Sequence, residues 1–64
     1  MATQFKIISP YEPDFSPRTV TADDEVEALK LTELDKEYVW WSVTYHSQHN
    51  AEISVARKET KLKN

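Results

Sequence analysis

Hydrophobic and polar residues alternate along both the early and the late parts of this 64-residue chain, while the middle follows a helical rhythm. Over residues 4–8, Phe5 and Ile7 fall on one side and Lys6 and Ile8 on the other, the period-two pattern of a strand. Residues 18–22 alternate again, Val20 and Ala22 against Thr19 and Thr21. Between them stand Pro10, Pro13 and Pro17. Each removes a backbone donor and biases its predecessor to extended geometry, so residues 9–17 are predicted to be an irregular arm. The longest strand pattern covers residues 38–47, with Val39, Trp41, Val43 and Tyr45 on one side and Trp40, Ser42, Thr44 and His46 on the other. Gln48, His49 and Asn50 read as a turn. Residues 51–58 return as a strand, with Ile53 and Val55 opposite Glu52, Ser54 and Ala56.

The central segment predicts a helix. The run Thr21, Ala22, Asp23, Asp24 resembles a capping box, and Asp23, Asp24, Glu25 and Glu27 crowd the first turns, where acids complement the helix dipole. Helix formers continue through Ala28, Leu29, Lys30, Leu31, Glu33 and Leu34. At about 100° per residue, Ala22, Val26 and Leu29 share a stripe. Leu31 and Leu34 lie round from it, which leaves two readings: a broad apolar face turned into the core, or a leucine exposed for a partner. The order is β-β-α-β-β. The economical architecture is a single α+β domain over residues 1–64, an antiparallel sheet with one helix packed on one face. Its expected core is Phe5, Ile7, Val20, Val26, Leu29, Trp41, Val43, Ile53 and Val55. Residues 59–64, with Lys61 and Lys63, are expected to be a frayed polar tail.

Composition narrows the function. The chain is 39% hydrophobic and 30% charged, a balance that suits a folded domain rather than a disordered segment. A chain this short buries only about 60% of its unfolded surface, so its core is one thin layer. Cysteine is absent, which excludes disulfides, thiolate zinc sites and thiol nucleophiles and agrees with a reducing cytoplasm. Glycine is absent too. Phosphate-cradling and dinucleotide-binding glycine loops are therefore impossible, and a hairpin must use a longer loop or a left-handed Asn. No apolar run reaches the length of a membrane span.

Candidate chemistry is thin. His46 and His49 stand three apart in a strand and turn, with Glu52 beyond, a spacing that does not converge ligands on a metal. Ser9, Ser16, Ser42, Ser47 and Ser54 occur without a motif that would place a base and an orienting acid around them. The expectation is a non-enzymatic protein with no metal and no cofactor.

Charge is more informative. Residues 23–37 hold seven acids and two bases, net −5, while residues 57–64 hold four bases and one acid, net +3. This segregation is either ordinary solubility and helix-end electrostatics, or an acidic ridge that docks on a basic, nucleic-acid-handling protein surface. The overall charge of −3 argues against nucleic acid as a direct ligand. The candidate partner-binding residues are Asp23, Asp24, Glu25, Glu27, Glu33, Asp35 and Glu37, together with Trp40, Arg57 and Lys58. Trp40 has three readings: an outward anchor, a ring covered by Tyr11 or Phe15 of the arm, or a base-stacking platform with His46 beside Arg57 and Lys58.

The stretch that begins at Ala22, with acids at the helix start, then Glu27, Ala28, Leu29, Leu31 and Glu33, and Val43-Thr44 on the next strand, resembles the small podophage inhibitors of host RNA polymerase. The spacing agrees over roughly a third of the chain, and Phe5 falls in a corresponding first strand. The resemblance implies a small sheet with one acidic helix, wedged by its charged faces between parts of the polymerase. Where that family carries arginines after the Val-Thr pair, this chain has Tyr45, His46 and Ser47, and it adds the strand at residues 51–58. The β-β-α-β-β order is also similar to certain phage anti-CRISPR proteins, which bind Cas subunits. Both comparisons imply a phage-encoded inhibitor that acts by occlusion in the host cytoplasm, with RNA polymerase as the first target and a Cas subunit as the second. A monomer or weak dimer is expected, and a subunit that adds an edge strand to a neighbour is a further reading.

Overall fold

A computed structural model describes residues 2–58 and builds them into four strands, one helix and a 3-10 turn. The elements are β1 (Thr3–Ile8), β2 (Arg18–Ala22), α1 (Glu25–Leu31), the 3-10 turn Leu34–Lys36, β3 (Tyr38–Tyr45) and β4 (Asn50–Arg57). The tail expected at residues 59–64 lies outside the described residues. The α+β class and the chain order β-β-α-β-β hold.

The sheet is mixed, not antiparallel as the pattern suggested. Its strand order is β2-β1-β4-β3. β1 pairs antiparallel with β2 and β3 antiparallel with β4, but β1 and β4 run parallel at the centre. Two hairpins are thus joined along a parallel seam. β2 and β3 therefore run the same way at opposite edges, so the chain between them must travel back along the sheet, and α1 carries it.

The seam holds the core. Phe5 stands opposite Ala51 and Ile7 opposite Ile53. Phe5, Ile7, Ile53 and Val55 are completely buried, in one cluster with Ala22, Ala28, Leu29, Leu34, Tyr38 and Ala51. Four fully buried side chains of this size contribute roughly 1.5–3 kcal/mol each by transfer from water. Val20 and Val43 pack partly against the cluster, as does Phe15 from the arm.

The helix is shorter than its sequence pattern. Asp24 caps it: Oδ1 accepts from the Glu27 amide at 2.8 Å, and Glu27 Oε1 accepts from the Asp23 amide at 2.9 Å. The capping pair is Asp24 and Glu27, three residues beyond the Thr21 expected from sequence. α1 ends at Leu31, not Leu34. The Thr32 hydroxyl donates back to the carbonyls of Ala28 at 3.0 Å and Leu29 at 3.1 Å. Glu33 then turns into the left-handed region at φ 61°, a position that glycine or asparagine usually fills after a helix. With no glycine in the chain, a glutamate makes the turn. The turn drives Leu34 inward, while Leu31 stays 56% exposed and Val26, expected in the core, 47% exposed. Only Ala28 and Leu29 of the seven helical residues are buried.

β3 departs from simple alternation at Trp41. Trp40 registers with Val55, but Ser42, not Trp41, takes the next pairing, with Ser54. Trp41 is the extra residue of a β-bulge. Cross-strand partners share a face, so Trp40, Val43 and Tyr45 stand on the side of Val55, Ile53 and Ala51. The expected sides of the two tryptophans are therefore corrected: Trp40 joins the core face, and Trp41 is 49% exposed rather than central to the core.

Candidate functional site

The arm is fastened to the start of β3 by a polar clasp. Tyr38 Oη donates to Glu12 Oε1 at 2.6 Å and accepts from Arg57 Nη2 at 2.8 Å. Arg57 also reaches Glu12 Oε2 from Nη2 at 2.7 Å and from Nε at 3.2 Å, and Glu37 Oε1 from Nη1 at 3.0 Å. Below this layer Phe15 meets the Tyr38 ring edge to face, centroids 5.3 Å apart. The hydrogen bond from Tyr38, and then that from Arg57, holds the Glu12 carboxyl below the usual range. The same bond to Glu12 raises the Tyr38 phenol, and Glu12 raises the Arg57 guanidinium.

This clasp rearranges the charge map read from sequence. Arg57 and Glu37, assigned to a basic patch and an acidic ridge, are partners of each other. The Lys58 amide donates to the Glu37 carbonyl at 2.7 Å, which fixes the end of β4 beside the start of β3. Asp24 and Glu27 serve the helix cap. Asp23, Glu33 and Asp35 accept no side-chain hydrogen bond among the described residues, and neither does Glu25 in the first helical turn. The ridge that can face a partner is therefore narrower than seven carboxylates, and the exposed apolar residues of α1, Val26 and Leu31, stand about 140° apart around the helix.

Trp40 is 36% exposed and lies on the core face, away from His46. The arm does touch an indole, but it is Trp41, whose ring lies 5.8 Å from that of Tyr11 and stays half exposed. Tyr45 reaches back to Phe5, centroids 6.1 Å apart, yet keeps 56% of its surface exposed.

No family model matches the chain, and no curated protein or solved structure matches it either. Its chemistry must be read from its own surfaces. On the outer sheet face, Lys6, His46 and Glu52 border an open groove of about 290 Å³, at the small end of the range for ligand sites. His46 Nε2 and Glu52 Oε1 are 3.8 Å apart across it. Among the described residues no three His, Asp or Glu side chains converge as a metal site, and no helix is long and apolar enough to cross a membrane.

The residues that sequence reasoning missed are Glu12 and Tyr38. Glu12 sits in a proline-rich arm and is 45 positions from Arg57, so only the folded chain brings them together.

Proposed function

We propose that this protein is a non-enzymatic binding module that docks through the surface of α1 and its flanking turns onto a basic protein surface and occludes it. In this reading α1 lies on the buried face of the sheet and presents its outer side to the partner. The observation that carries the proposal is that a seven-residue helix leaves Val26 and Leu31 exposed in an acidic segment whose Asp23, Glu27 and Glu33 are exposed too. Exposed apolar residues in an acidic segment match a protein surface rich in Lys and Arg, whereas the phosphates of a nucleic acid would be repelled. The resemblance to phage inhibitors makes host RNA polymerase the first target and a Cas subunit the second. The alternative of a base-stacking sheet has less support, because Arg57 is held by Glu12 and Glu37 and Trp40 does not share a face with His46.

The test is capture from bacterial lysate with the tagged full chain, then binding of the recovered target by a charge-reversed variant. Asp23→Lys, Glu25→Lys and Glu33→Lys spare the capping carboxylates of Asp24 and Glu27. Lost binding with an unchanged circular dichroism spectrum is expected. Undiminished binding would reject the acidic surface as the contact.

A further inference from the structure

β3 is an edge strand whose one safeguard against pairing with another chain is a β-bulge. Natural edges are short, or hold lysine, proline or an inward charge. β3 is eight residues long, and its sequence, Tyr38, Val39, Trp40, Trp41, Ser42, Val43, Thr44, Tyr45, contains no charge and no proline. Its one protective device is the bulge at Trp41, which leaves residues 42–45 regular. The opposite edge differs. β2 is five residues long, starts with Arg18 and lies against α1.

We propose that β3 pairs with β3 of a second copy of this chain, antiparallel about a two-fold axis perpendicular to the sheet, to give a continuous eight-stranded sheet. Three observations favour a second copy over a charged partner. First, an uncharged strand meets itself without repulsion, and a two-fold contact requires such self-complementarity. Secondly, charge is placed to allow it. The first-turn acids of α1 lie toward the β2 edge, so the dimer sets its two acidic surfaces far apart. Asp35, near the start of β3, would face the partner copy's turn at residues 46–49, which carries two histidines and no acid. Thirdly, apolar surface flanks the edge: Val39, Trp40, Trp41 and Tyr45 are each at least 36% exposed, and pairing would cover part of each, a small interface consistent with micromolar association. A perpendicular two-fold keeps Trp40, Val43 and Tyr45 of both copies on one face, where they would form a continuous apolar row.

Sedimentation velocity of the full chain over a concentration series tests this. A reversible dimer with a Kd of roughly 10 µM is expected. Thr44→Lys, at an exposed position, would place a charge on the pairing edge and weaken association by roughly tenfold or more. Asp23→Lys at the other edge would leave it unchanged. A wild-type chain that stays monomeric through high micromolar concentration overturns the proposal. So does a dimer that survives Thr44→Lys but is lost in Leu31→Lys. If Thr44→Lys does not fold, hydrogen exchange on the wild-type chain decides: concentration-dependent protection of β3 amides not bonded to β4 supports the pairing, and protection confined to α1 overturns it.

Discussion

Tyr38 and Glu12 are 26 positions apart in sequence, and a 2.6 Å hydrogen bond from the phenol to the carboxylate ties the arm to the first residue of β3. Arg57 completes the clasp with its guanidinium carbon 4.8 Å from the centre of the Tyr38 ring, so one cation serves a carboxylate, a phenol oxygen and an aromatic face.

The clasp makes stability depend on pH in a defined direction. The Glu12 carboxyl is held below its ordinary range by Tyr38 and Arg57, with Glu37 the other acid at the same guanidinium. A carboxylate depressed on folding stabilises above the unfolded-state value, and that contribution disappears as pH falls through the folded value. Urea midpoints for the wild type and Glu12→Gln should therefore differ at neutral pH and converge in acid. A gap that is independent of pH would mean that Glu12 acts by packing alone.

The two leucines beyond the middle of α1 should behave oppositely. Leu34 is buried against the core, so Leu34→Ala is expected to destabilise by about 3 kcal/mol. In a domain this small that amounts to a fall in melting temperature of roughly 10–20 °C. Leu31→Ala should change stability by less than about 0.5 kcal/mol. Thermal unfolding followed by circular dichroism separates the two, and similar losses would contradict the direction of the Glu33 turn.

Asp24, not Thr21, should carry the helix cap. Asp24→Ala is expected to lower stability by about 1 kcal/mol, whereas Thr21→Ala, on the solvent side of β2, should have little effect. Chemical denaturation of both variants is the measurement.

Glu33 holds a left-handed conformation that an L-residue with a Cβ adopts at some expense in energy. Glu33→Gly should stabilise the protein by about 0.5 kcal/mol, because the relief of strain outweighs the added freedom of the unfolded chain. A destabilised variant would show that the glutamate side chain contributes more than the turn loses.

Much of the fold was legible in the chain. Residues 18–22 form β2 with the bounds that alternation gave, β1 begins one residue earlier than expected, and the prolines mark an arm without regular structure. The turn expected at residues 48–50 lies instead at residues 46–49, because β3 stops at Tyr45 and Asn50 opens β4, and it uses no left-handed Asn. What failed depends on contacts between distant residues. Alternation over residues 38–45 is continuous in sequence, and the bulge at Trp41 exists only relative to β4. Sequence order cannot distinguish a parallel from an antiparallel neighbour for β1, because that choice lies in how the two hairpins meet. The candidate surface was legible as composition but not as geometry: which carboxylates are free was decided by the cap at Asp24 and by Arg57.

The parallel seam between β1 and β4 also sets the order in which the chain can become native. Each hairpin closes over short sequence distances, yet the completely buried side chains Phe5, Ile7, Ile53 and Val55 meet only when the first and last strands come together. Neither half has a core of its own to wait on. The core is therefore completed only when the two hairpins join across the segment between Ala22 and Tyr38, which cannot happen until the fourth strand has been made.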